Sequence, residues 1–161
     1  MIFNPDGKDN LLMTDSKVIY RYLHGGAGTV TLANPNTWKA HSYAFLKPVN
    51  ERDFPEDTIF VYVIHDNRRI YLGLLSGSEF RLTAKSTFGE DTEAVKGARY
   101  IVKMANRQDL VDKRLMNLYH SGKCCICGRP LSGNKSLDSG IGKKCTCYYN
   151  ARLEKVPWDG N

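Results

Sequence analysis

The sequence predicts an α+β protein: an antiparallel β-sheet packed by one or two helices, followed by a small cysteine-rich module. Three observations carry that expectation. The first half alternates polar and apolar residues in short runs divided by turn formers. After Gly89-Glu90-Asp91 the apolar spacing changes from two residues to three and four. All five cysteines then lie between positions 124 and 147.

Taken in order, Thr29-Val30-Thr31-Leu32 alternates as a half-buried strand, and Tyr43 and Phe45 share one face of a segment that Pro48 ends. Residues 49 to 57 form a surface loop with Asp53, Glu56 and Asp57 as a solvated acidic edge. Thr58-Ile59-Phe60-Val61-Tyr62-Val63-Ile64 is apolar on both faces, and Asp66-Asn67-Arg68 separates it from Ile70-Tyr71-Leu72-Gly73-Leu74-Leu75, so the two read as central strands joined in a hairpin. Phe80-Arg81-Leu82-Thr83-Ala84 alternates again. The links are short and rich in turn residues, which favours a meander over crossover units. Asp91 is a candidate N-cap for a helix whose Val95, Ala98, Val102 and Ala105 make a small-residue stripe able to lie flat on the sheet. Val111, Leu115 and Leu118 extend the same spacing through a second helical run, Gln108 to Tyr119, that delivers the chain to His120. The expected organisation is a strand-rich α+β domain over 1–107, a helix plus metal module over 108–156, and a tail over 157–161.

The chain has 161 residues, enough for one modest domain with a small satellite. No run approaches the roughly 18 consecutive apolar residues of a membrane span, and the first residues lack the basic-then-apolar order of a signal peptide. Clustered cysteines, odd in number, fit a reducing compartment, so a cytoplasmic protein is expected. The formal charge is +6, and it is uneven: Arg99 to Lys155 holds 12 Lys/Arg against four acids. A positive C-terminal third favours phosphate-bearing or acidic partners.

Cys124-Cys125-Ile126-Cys127-Gly128 contains C-x-x-C followed by glycine, the spacing at which two thiolates on a tight turn reach one zinc about 2.3 Å away. Cys145 and Cys147 follow after a stretch of turn formers with too few apolar residues to make a core, so metal is expected to supply the folding free energy of this segment. Thr146 to Glu154 holds no helix breaker and reads as a short helix with Cys145 in its first turn. Knuckle, turn-rich hairpin and helix-borne ligand suggest a treble-clef-like or ribbon-like zinc module. Cys124, Cys127 and Cys145 are three ligands of one structural Zn2+. The fourth is His120, four residues before Cys124, or Cys147, two after Cys145. Cys125 points away from its neighbour's metal and reads as a spare buried thiol.

The run His120-Ser-Gly-Lys-Cys124-Cys-Ile-Cys127-Gly-Arg-Pro-Leu131-Ser132-Gly-Asn-Lys-Ser136-Leu-Asp-Ser-Gly140-Ile141-Gly142-Lys-Lys-Cys145 resembles a small zinc-binding domain of unknown function found at the C-terminal end of many bacteriophage proteins and beside some helicase domains. Its pattern is H-x-G-x-C-x-x-C-G-R-x-L-T-x-x-x-S-x-x-x-G-I-G-P-x-C. The resemblance implies zinc, a phage origin and His120 in preference to Cys147 as fourth ligand. Ser132 stands where threonine is usual and Lys143 where proline is; neither change removes a ligand.

No second constellation suggests catalysis. His24-Gly25-Gly26-Ala27-Gly28 lacks the lysine and strand-to-helix setting of a phosphate loop and reads as a turn into the first strand. His41 and His65 read as structural residues at strand ends. A fully ligated zinc leaves no open position for water. The expected function is therefore nucleic-acid binding, DNA or RNA, without base specificity. Lys123, Arg129, Lys135, Lys143 and Lys144 would meet phosphates, Arg152 and Lys155 would extend the surface, and Tyr148 or Tyr149 would stack on bases. The alternative is a host-interaction protein that binds a host enzyme through the sheet face or the acidic loop, zinc only stabilising its fold.

Overall fold

Residues 27 to 81 run as five consecutive antiparallel strands in a computed structural model of the chain, which describes residues 1–142 and Cys145. They are β1 (Ala27–Ala33), β2 (Ala40–Leu46), β3 (Thr58–His65), β4 (Arg68–Ser76) and β5 (Glu79–Arg81). A sixth strand, β6 (Asn117–His120), returns to the free edge of β1, giving the sheet order β5-β4-β3-β2-β1-β6. The meander expected from the short links is present, and all pairings are antiparallel. At the β3–β4 hairpin, Asp66 and Asn67 both adopt positive φ, the twist a two-residue turn needs between right-twisted strands.

The helices are α1 (Ser16–His24), α2 (Glu93–Asn106), α3 (Gln108–Lys113) and α4 (Asn134–Ser139). Val95, Ala98, Val102 and Ala105 are all buried, so the small-residue stripe of α2 does lie against the sheet. Gly97 permits close approach there: a Cβ would overlap the Tyr43 hydroxyl, which donates to the Ala94 carbonyl at 2.7 Å. The N-cap falls one residue later than expected, at Thr92, whose side chain accepts from Val95 N.

Four elements depart from the sequence reading, among them α4, in the stretch read as a turn-rich hairpin, and β5, which ends at Arg81 and not Ala84. The segment before β1, which shows no strand, is the helix α1; Asp15 caps it by accepting from Lys17 N, and it buries Ile19, Tyr20, Tyr22 and Leu23. The helical run expected from Gln108 to Tyr119 stops at Lys113, where Arg114 turns left-handed at φ 52°. Residues 117–120 are then strand β6. Leu118 is buried as expected, but by pairing beside Leu32, while Leu115 is exposed.

The sheet has two unlike faces. Val30, Leu32, Tyr43, Phe45, Ile59, Val61 and Leu75 point into the core under α1 and α2. The other face carries Thr29, Thr31, Ser42, Phe60, Tyr62, Ile64 and Tyr71, all half-buried. Its β1–β6 end is covered by the N-terminal segment, where Phe3 packs on Tyr119 with ring centroids 4.5 Å apart. No helix among the described residues is long and apolar enough to cross a membrane.

Candidate metal centre

The last strand leads straight into the cysteine-bearing lobe. Ser121 N donates to Thr29 O at 3.1 Å, ending the β6 pairing, and Gly122 at φ 75° redirects the chain. Lys123 and Pro130 then face each other across a small antiparallel bridge. Between them Cys124 N donates to Arg129 O at 2.8 Å and Gly128 N to Cys124 O at 2.9 Å, closing the turn that holds Cys124 and Cys127 together. Gly128 sits at φ 75°, the left-handed conformation a reversal after C-x-x-C requires.

The Sγ atoms of Cys124, Cys127 and Cys145 lie within 4.8 Å of one another. Sulfurs on one tetrahedral zinc at about 2.3 Å are separated by about 3.8 Å, so the cluster is close to ligating geometry. Cys124 is buried, Cys145 partly so, and Cys127 is exposed. Backbone amides aim at the sulfur of Cys124: Gly142 N at 3.2 Å and Ile126 N at 3.4 Å. Burial works against its thiolate, but the N–H groups of Gly142, Cys127 and Ile126 outweigh burial and bring the thiol below its ordinary value. Burial pushes Cys145 the other way, up to about 12, reinforced by its thiol neighbours Cys127 and Cys124. Three crowded sulfurs that resist joint ionisation are the donor set a divalent cation satisfies, since its charge offsets theirs. The chemistry of the site fits a thiophilic metal such as zinc.

His120 is not in this group. It closes β6 on the core face of the sheet beside Tyr22, ring centroids 5.4 Å apart. Gly122 N donates to its Nδ1 at 3.0 Å, and its Nε2 lies 2.8 Å from Leu137 O. An amide can only donate, so Nδ1 is the acceptor and Nε2 carries the proton given to Leu137. Both ring nitrogens are thus engaged within the lobe. Cys147 lies outside the described residues, as do Lys143, Lys144, Tyr148, Tyr149, Arg152 and Lys155 and the helix expected over 146–154. Lys123, Arg129 and Lys135 are exposed on the lobe.

Sequence reasoning missed how the lobe is seated. Cys125 is buried, its Sγ 2.7 Å from where a Gly25 Cβ would stand, and its carbonyl accepts from Ala27 N at 2.8 Å. Its Sγ is not among the three gathered thiols, and burial pushes it up to about 12, as fits a packing group. Tyr22 donates to Lys123 O at 2.9 Å and presses on Gly140, where a Cβ would come within 2.6 Å of its ring. The signal in the sequence is the Gly25-Gly26 pair, since adjacent glycines mark a close backbone approach as well as a turn.

Residues 119–146 match the profile of a family of unknown function (DUF6011). The matched segment begins one residue before His120 and ends one after Cys145, so it coincides with the lobe that carries the thiol cluster. No curated protein and no solved structure matches the chain.

Proposed function

We propose that this is a nucleic-acid-binding accessory protein whose C-terminal lobe is fastened by one structural zinc. The observation that carries the metal is the convergence of three thiols within 4.8 Å, with backbone amides directed at one of them. Cys124, Cys127 and Cys145 are three ligands. The engagement of both His120 ring nitrogens favours Cys147 over His120 as the fourth, the reverse of what the sequence resemblance implies. Four protein ligands leave the zinc without a water position, so its role is to hold the turn-rich lobe together.

Lys123, Arg129 and Lys135 stand exposed around this lobe, and Lys143, Lys144, Arg152 and Lys155 follow in sequence. A fastened lobe would present these cations to phosphates as one fixed surface and release counterions on binding. Tyr148 and Tyr149 are the lobe's candidates for base contact. The phage origin rests on the sequence resemblance alone.

Metal content decides the first part. The purified protein is expected to carry one zinc per chain, lost in Cys124→Ser and Cys145→Ser and kept in His120→Ala. Loss in His120→Ala with retention in Cys147→Ser would restore histidine as the ligand. Binding to short single-stranded and duplex oligonucleotides decides the second. Affinity should fall steeply with salt and fall further when Lys123, Arg129 and Lys135 are changed to glutamate; no binding at low salt would remove the nucleic-acid reading.

A further inference from the structure

Outside the lobe, the feature with most unexplained chemistry is the face of the sheet turned away from α1 and α2. Tyr62 and Tyr71 are cross-strand partners on β3 and β4, their ring centroids 5.9 Å apart, and Phe60 lies 6.0 Å from Tyr71 on the same face. Phe54 adds an edge-on contact to Phe60 at 5.0 Å, and the Tyr71 hydroxyl is tied to Thr83 Oγ1 at 3.0 Å. These rings are therefore held in place while remaining half-exposed.

What surrounds them is polar, cationic at the Arg69 end and acidic at the other. Arg69 stands opposite Ile64 on this face, exposed, one residue from Arg68 at the hairpin end. Thr31 and Ser42 bring hydroxyls to the adjacent strands. Arg81 pairs with Leu74 on the same side. On this face the strands carry Arg69 and Arg81 against one carboxylate, Glu79, two residues from Arg81, while Arg68 alternates to the opposite side. The acidic groups Asp53, Glu56 and Asp57 are gathered before β3, beyond Phe60, and Asp57 is bonded to Ser76. A polyanion with flat apolar rings would meet favourable groups of both kinds, since each base offers a π-face and each linkage a negative charge.

We propose that the open face of β3 and β4 is a stacking platform for single-stranded nucleic acid, with Tyr62, Tyr71 and Phe60 under the bases and Arg69 at the phosphates. This rests on the nucleic-acid reading above but moves the base contacts from the lobe to the sheet. The bound strand keeps to the Arg69 end of the platform, because the carboxylates before β3 repel it from the other.

The test uses the zinc-loaded full chain and a fluorescent single-stranded oligonucleotide of about 12 nucleotides, as oligothymidylate and as oligouridylate. Tyr62→Ser should weaken binding roughly tenfold, Tyr62→Phe should leave it nearly intact, and Arg69→Glu should weaken it and flatten its salt dependence. Ultraviolet crosslinking followed by peptide mapping should mark the peptide containing Tyr62 or Tyr71, a readout that a merely structural role would not give. Wild-type binding that is unchanged in Tyr62→Ser and Arg69→Glu, yet abolished by charge reversal at Lys123, Arg129 and Lys135, overturns the platform and leaves the lobe reading standing. Binding lost in Tyr62→Ser but insensitive to the lobe reversal supports the platform and overturns the lobe's share. No wild-type binding at low salt overturns both. A dimer that Tyr62→Ser converts to monomer, with no competition from oligonucleotide, assigns the face to a second copy and overturns the proposal.

Discussion

The Tyr22 hydroxyl on α1 donates to the carbonyl of Lys123, 2.9 Å away, and so joins the first helix to the residue before the first cysteine of the candidate metal centre. The same hydroxyl oxygen is 3.2 Å from Ser121 Oγ, and the Tyr22 ring supports Gly140 from below. Burial pushes this phenol up to about 12, so it remains a donor across the working pH range. Tyr22→Phe keeps the ring and removes the donor. It should cost about 1 kcal/mol, the usual net worth of one hydrogen bond, and should speed metal loss to a chelator without changing metal stoichiometry. Chemical denaturation and a zinc-release assay with a chromogenic chelator check the two effects separately.

The contact of Gly25 with Cys125 makes a sharper demand. Gly25 has an ordinary helical φ of −68°, so alanine there is unstrained locally and fails only by collision with the Cys125 backbone and Sγ. Gly25→Ala should destabilise by about 1–3 kcal/mol, as overpacking of a tight contact does. Cys125→Ala in the same chain should recover part of that loss and leave the bound metal in place. A metal content that drops in Cys125→Ala alone would make Cys125 a ligand.

Gly97 and Tyr43 should be energetically coupled. Alanine is the better helix former by about 1 kcal/mol, but at position 97 it meets the Tyr43 hydroxyl. Gly97→Ala should therefore be net destabilising in the wild type and less so, or stabilising, in a Tyr43→Phe background. A double-mutant cycle by urea unfolding measures this; additive values would mean that α2 shifts freely over the sheet.

His120 gives a pH prediction with a definite sign. Burial holds its pKa below the ordinary histidine value, partly offset by its bond to Leu137 and by Asp138. The neutral ring is thus favoured in the folded state, and its contribution is complete above about pH 6.5, the unfolded value, and lost as pH falls through the folded one. Protonation puts a hydrogen on Nδ1, where it opposes the Gly122 N–H. Two-dimensional 15N spectra should show a neutral Nε2–H tautomer near neutrality that titrates below about 6.5. The stability advantage of wild type over His120→Asn, measured by denaturation at each pH, should shrink toward acid.

Much of the fold is legible in the amino-acid sequence. Thr29 to Leu32, Thr58 to Ile64 and Ile70 to Leu75 each declare a strand by alternation or β-branched content, and the stripe from Val95 to Ala105 declares a helix, because burial on one face imposes a fixed period. The composition of β3 suggests burial on both faces, yet Phe60, Tyr62 and Ile64 are half-exposed, since apolar residues on a sheet face do not by themselves require a covering layer. In the lobe, spacing alone singles out Cys124, Cys127 and Cys145, and Gly128 takes the positive φ that the turn needs.

What sequence alone determined were the features set by neighbours along the chain: the strand pattern, the knuckle turn and the gathering of three thiols. Tertiary structure decided the rest. Residues 117 to 120 carry a helical spacing of apolar groups yet form a strand, because the open edge of β1 offers backbone partners that an exposed last helical turn would lack. The hydrogen-bond partners of the His120 ring, Gly122 N at Nδ1 and Leu137 O at Nε2, are likewise set by the fold, since only the folded lobe brings them to either side of the ring.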